Sequence, residues 1–73
     1  YYYMSTIMNI FVNQKKIIIS KESTIINILA NLDIEDKYLA VEINENILPK
    51  SEYDKYIIQE NDKIEIINAI GGG

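Results

Sequence analysis

Seventy-three residues, 48% of them hydrophobic, with a net charge of −4 and neither cysteine nor histidine, describe one small folded domain rather than a disordered segment. A chain of this size buries roughly 60% of the surface it exposes when unfolded, enough for one core and too little for a deep catalytic cleft. The missing Cys and His remove disulfides, thiolate metal sites, a sulfur nucleophile and the commonest general base, and seven lysines scattered among eleven acids offer no basic stripe for nucleic acid.

In chain order, Tyr1-Tyr2-Tyr3 stand before Met4, and a second methionine, Met8, falls where β-forming residues begin. Residues 1–7 therefore read as an upstream extension or expression remnant, and residues 8–70 as the domain. Ile7 to Val12 is rich in β-formers, with Met8, Ile10 and Val12 expected on the core face and Phe11 pointing outward. Asn13-Gln14-Lys15 reads as a polar turn, after which Lys16 to Ser20 gives a second strand and closes a hairpin. Runs such as Ile17-Ile18-Ile19 fall far short of the roughly 20 residues that cross a bilayer, and no basic segment precedes an apolar stretch. The expectation is a cytoplasmic protein, monomeric on its own, with no membrane or nucleic-acid partner.

Ser23 or Thr24 can cap a helix in which Ile25, Ile28, Leu29 and Leu32 fall at i, i+3, i+4 and i+7, a single buried stripe. Isoleucine is a mediocre helix former, so packing against a sheet must hold this helix. The polar stretch Asp33 to Lys37 ends it, and Asp33, Glu35 and Asp36 read as a solvated loop cluster. Leu39, Val41 and Ile43 alternate with Ala40, Glu42 and Asn44, a half-buried strand. Asn44-Glu45-Asn46 turns the chain into a brief strand at Ile47-Leu48, which Pro49 confines to a sheet edge because it lacks an N–H. Ser51 to Lys55 suggests a short turn or 3₁₀ segment, with Tyr53 and Tyr56 as packing residues, and Ile57 and Ile58 are expected to return to the core. Asn61-Asp62 leads into a last strand in which Ile64 and Ile66 alternate with Lys63 and Glu65, continuing through Asn68 to Ile70. The order implies a two-layer α+β domain, with the first and last long strands side by side in the sheet centre. The chain's three glycines all stand at its end, Gly71, Gly72 and Gly73.

With these pieces in place the sequence resembles the ubiquitin-like β-grasp proteins, a mixed four- to five-stranded sheet packed on one main helix with a flexible C-terminal Gly tail. Within them it is similar to the ThiS-type sulfur carriers of thiamine (thiazole) biosynthesis, through "MNIFVN", "LAVEINENILPKSEY", "IIQENDKIEI" and the terminal "IGGG". Asn61 stands where such carriers often have glycine, and asparagine tolerates the left-handed conformation better than most residues.

The resemblance implies a protein co-substrate rather than an enzyme. A partner of the E1-like, ThiF-type adenylating class would use ATP to activate the carboxylate of Gly73. Sulfur from a cysteine desulfurase system would then convert it to a thiocarboxylate, and a ThiG-type thiazole synthase would accept that sulfur. The chain itself is expected to bind no cofactor and no metal. Gly71 and Gly72, without Cβ atoms, suit threading through a narrow channel. Phe11 and Ile67, expected to point outward near the tail, are the candidate docking pair. Other readings are a sulfur carrier for molybdopterin synthesis, or a ubiquitin-like interaction module or protein modifier whose tail is joined to lysine.

Overall fold

Alternating apolar residues build the sheet. In β1 (Ile7–Val12) Met8, Ile10 and Val12 are buried while Phe11 is half-buried on the opposite face. The computed structural model describes residues 6–32 and 39–68. Ile7, which a domain boundary at residue 8 leaves outside, is the first residue of β1 and pairs with Ser20. Ahead of it the Thr6 carbonyl accepts a hydrogen bond from the Lys21 N–H at 2.9 Å.

β2 (Lys15–Ser20) returns antiparallel to β1, in a register that sets Val12 opposite Lys15 and Ile10 opposite Ile17. The connection is the two-residue turn Asn13-Gln14, with φ of 49° and 71°. Positive φ at both positions matches the right-handed twist of the flanking strands. Lys15 therefore belongs to the strand rather than to the turn, a correction to the sequence reading. Asn44 and Glu45, at φ 50° and 74°, make the same kind of turn between β3 (Leu39–Ile43) and β4 (Asn46–Leu48). Asparagine reaches this region at modest cost, while Gln14 and Glu45 must be held there by the hairpins they close.

The helix α1 (Ile25–Asn31) is only seven residues long, too short to persist without packing. Its start is tied down by side chain and backbone together. Asn27 Oδ1 accepts from the Thr24 N–H at 2.8 Å and from the Thr24 hydroxyl at 3.1 Å, and the Ile26 N–H, without an intrahelical partner at the first turn, donates to the Tyr53 carbonyl at 3.2 Å. Ile25, Ile28 and Leu29 are buried, but Leu32 is 46% exposed. The helix stops at Asn31, so Leu32 forms its cap, at φ −90° and ψ −1°, and turns away from the buried stripe.

β5 (Lys63–Asn68) lies between β1 and β3, giving the strand order β2-β1-β5-β3-β4. It runs parallel to β1 and antiparallel to β3, so the first and last strands are neighbours, as the sequence implied. β4 ends the sheet on one side, with Pro49 immediately after it, and the 3₁₀ turn Lys50–Glu52 follows. The core joins β1, β3 and β5 to α1 through Ile10, Val41, Ile64, Ile25 and Ile28, with Tyr53 and Ile58 filling in from the connection after β4. Ile57 does not join them. It is 43% exposed and bridges to Thr24 in an extended stretch whose next residue, Ile58, turns inward and donates its N–H to the Ser23 carbonyl.

Asp33 to Lys37, the continuation of the last strand to Ile70, and Gly71, Gly72 and Gly73 lie outside the described residues. Among those described, no helix is long and apolar enough to cross a membrane, and no cluster of three or more acidic side chains could hold a metal ion.

Candidate functional site

The strand that leads to the terminal glycines is held at its start and along one side. Asp62, just before β5, is buried and its carboxylate accepts three hydrogen bonds: from Asn44 Nδ2 at 2.9 Å, the Tyr56 hydroxyl at 2.6 Å and the Gln59 N–H at 2.9 Å. Asn44 also brackets Lys63, accepting from its N–H through Oδ1 at 3.0 Å and donating its own N–H to the Lys63 carbonyl at 2.8 Å. Burial, followed by the hydrogen bond to Asp62 and the negative charge on it, pushes the Tyr56 hydroxyl up from 10.0 to about 12. Among the described residues no buried side-chain polar atom lacks a partner, so this cluster is fully satisfied and rigid rather than strained.

Further along, Ile64 and Ile66 face the core and Lys63, Glu65 and Ile67 face away from α1. β1 accompanies β5 as far as Ile64, and the side chain of Asn13 adds one more rung, its Oδ1 accepting from the Ile66 N–H at 2.7 Å. β3 follows β5 to its end, with Leu39 opposite Asn68. Asn68, the last described residue of β5, is thus held in the sheet by its pairing with Leu39.

Phe11 and Ile67 both lie on the open face. Phe11 pairs with Lys63, four positions before Ile67, a separation of about 13 Å along the strand. They do not touch as one patch. Ile67, 46% exposed and opposite Ala40, sits at the outgoing end of β5, while Phe11 lines a recess of about 280 Å³ with Gln14, Lys63 and Glu65. Between them Glu65 stands directly opposite Glu42 on β3, a like-charge pairing that destabilises a sheet.

Sequence reasoning missed the Asp62 cluster and the Asn13 rung, because each joins residues far apart in the chain. The cue available was that Asn13, Asn44, Asn61 and Asp62 stand at turns, which reads as turn chemistry alone.

A five-stranded mixed sheet with parallel β1 and β5 at its centre and one helix across one face defines a ubiquitin-like β-grasp protein. The same fold occurs in the crystal structure of the thiamine biosynthesis protein ThiS from Geobacter metallireducens, which superposes with a TM-score of 0.77 at 26% identity over 90% of this chain and all of that one. The family model of the ThiS family matches residues 2–73. The chain belongs to the ThiS family, the ubiquitin-like sulfur carriers of thiamine biosynthesis. It is 38% identical to the sulfur carrier protein ThiS of Bacillus subtilis over 50 residues, covering 68% of this chain and 76% of that protein. It is 29% identical to the Escherichia coli sulfur carrier protein ThiS over 66 residues, covering 90% of this chain and the whole of that one. A thiazole synthase of Paramagnetospirillum magneticum contains a stretch 35% identical over 66 residues, of which this chain spans only 20% of the length.

Proposed function

We propose that the carboxylate of Gly73 is the reactive group. A ThiF-type partner adenylates it: a carboxylate oxygen attacks the α-phosphorus of ATP and pyrophosphate leaves. The terminal sulfur of a persulfide on a cysteine desulfurase system then attacks the acyl-adenylate and expels AMP, exchanging a C–O bond for the C–S bond of an acyl disulfide. A thiol reductant supplies the two electrons that cleave its S–S bond and leave the thiocarboxylate. The thiocarboxylate so formed gives its sulfur to the thiazole ring on a ThiG-type synthase. In this cycle the chain binds no cofactor of its own, ATP being held by the partner, and it acts as a co-substrate in the cytoplasm.

The observation that carries the reading is the family match through residue 73, together with a central strand fixed up to Asn68. Five residues beyond Asn68, fully extended, reach at most about 17 Å, which is the depth of channel the carboxylate can enter. Ordering such a segment costs on the order of 1–2 kcal/mol per residue, and side chains at 71–73 would widen the channel required. Docking of the folded domain must offset that cost. We assign docking to the open face through Ile67 beside the outgoing strand and Phe11 above its recess. The Glu42–Glu65 pair between them invites a cationic side chain from the partner, which would remove the repulsion on binding. The thiazole synthase relative that carries a segment like this chain supports the synthase as the sulfur acceptor.

The test is the intact mass of the chain after incubation with ATP, a sulfur source and the adenylating partner. Exchange of one oxygen for sulfur at Gly73 is expected. A lysine-linked adduct would instead identify a protein modifier, and an unchanged mass would reject the reading.

A further inference from the structure

β2 ends the sheet on the side away from β4, and among the described residues nothing pairs with its outer edge. Because the hairpin closes on the Val12–Lys15 pair across a two-residue turn, Lys15, Ile17 and Ile19 spend their backbone groups on β1. Those of Lys16 and Ile18 point away from the sheet. The opposite edge of β1 agrees with this phase, since the Asn9 and Phe11 N–H groups point to the other side, toward the Glu60 side chain and the Asp62 carbonyl.

Protein edges of this kind are usually blunted by brevity, proline, a bulge or lysine. β2 is six residues long, without proline or glycine, and carries three consecutive isoleucines, of which Ile18 is 63% exposed. What it does carry is charge at its first end, with one more lysine, Lys21, immediately after its last residue. Lys15, Lys16 and Lys21 are exposed and amount to three of the seven lysines of a chain whose net charge is −4. α1 contributes no charged residue, and Glu22 is the one acid adjoining these lysines in sequence.

This pattern discriminates between occupants. Symmetric antiparallel pairing with a second copy, centred on Ile18 so as to use the whole edge, would set Lys15 against Lys21 twice, and like charges directly opposite are unfavourable. A strand with acids at its ends meets the same lysines with complementary charge. We propose that β2 is a docking edge for an extended segment of a partner protein, aliphatic at its centre and flanked by Asp or Glu. The backbone groups of Lys16 and Ile18 would pair with it as an added strand. β1 lies between β2 and β5, and the proposal stands or falls independently of sulfur transfer.

The probe is an acetylated, amidated peptide of valines with an aspartate pair at each end, added to isotope-labelled chain and followed by amide hydrogen exchange. Exchange at Lys16 and Ile18 should slow by about tenfold or more. Affinity should fall with added salt, and by about tenfold when Lys15→Glu, Lys16→Glu and Lys21→Glu are combined. The same peptide N-methylated at alternate residues should not bind. These lysines are exposed, and the spectrum of the variant reports whether its fold is kept. Unchanged exchange at Lys16 and Ile18 with millimolar peptide would overturn the proposal, as would equal binding of a lysine-ended peptide. Concentration-dependent protection of these amides without peptide would overturn it in favour of a second copy.

Discussion

The two faces of the sheet obey opposite rules. Under α1, Met8, Ile10, Val12, Val41, Ile43 and Ile64 are all buried, and every position follows from alternation. On the open face the same strands carry Phe11, Lys63, Glu65, Glu42 and Ile67, an aromatic recess, a like-charge pair and an isolated apolar residue. The covered face is what folding stability requires. The open face departs from it, at some cost, in the places where a partner would gain. If docking uses the open face as proposed, stability and docking are divided between faces of one five-stranded layer, and substitutions should separate them.

The largest effect belongs to the covered face. Ile64→Ala, at a residue 1% exposed in the central strand, should lose about 2–5 kcal/mol of stability by chemical denaturation. Its adenylation should fail only through unfolding. Asp62→Ala leaves the Tyr56 hydroxyl, the Gln59 N–H and the Asn44 amide without their acceptor, and each unmade bond of this kind costs about 1–3 kcal/mol to the extent that water cannot replace it. The same cluster has a pH signature. Tyr56 is held at about 12 in the folded chain against 10.0 ordinarily, so above pH 10 the unfolded chain sheds this proton first. Its contribution is present in full below about pH 10 and lost as pH rises toward about 12; Tyr56→Phe should flatten that part of the stability profile.

Ile67→Asp tests the other side of the comparison. At 46% exposure it should change stability by less than about 1 kcal/mol while slowing adenylation through weaker docking. An unchanged adenylation rate would move the docking surface elsewhere. Smallest of all, Glu65→Gln relieves the repulsion with Glu42 and should raise stability by about 0.5 kcal/mol while lowering affinity for the adenylating partner. A stability gain without an affinity loss would make that pair a tolerated defect rather than part of the interface.

The covered face was legible in the sequence because period-two and helical spacing report burial directly. The strand neighbours β1 and β5, the brief edge strand before Pro49 and the outward Phe11 followed from it. Where the reading missed, local pattern was outvoted by geometry. Leu32 fits the helical stripe but caps a helix that has already ended, and Ile57 looks like core but alternates outward from Ile58. The turns were harder, since Gln14, Glu22 and Glu45 adopt positive φ with no glycine to announce it; the hairpins impose it at Gln14 and Glu45, while Glu22 stands in the turn between β2 and α1. The Asp62 cluster was illegible for another reason: Asn44 and Asp62 are 18 residues apart, and nothing local says they meet. Of the candidate site, the family motifs and glycines were readable, but the spacing between Phe11 and Ile67 needed the register.

The most direct test is ATP–pyrophosphate exchange by the adenylating partner with chain truncated after Ile70. The account predicts a thermal midpoint unchanged from the full chain and no exchange above background. Exchange at the full-length rate from the truncated chain would contradict it, because the terminal carboxylate at Gly73 would then not be what the partner activates.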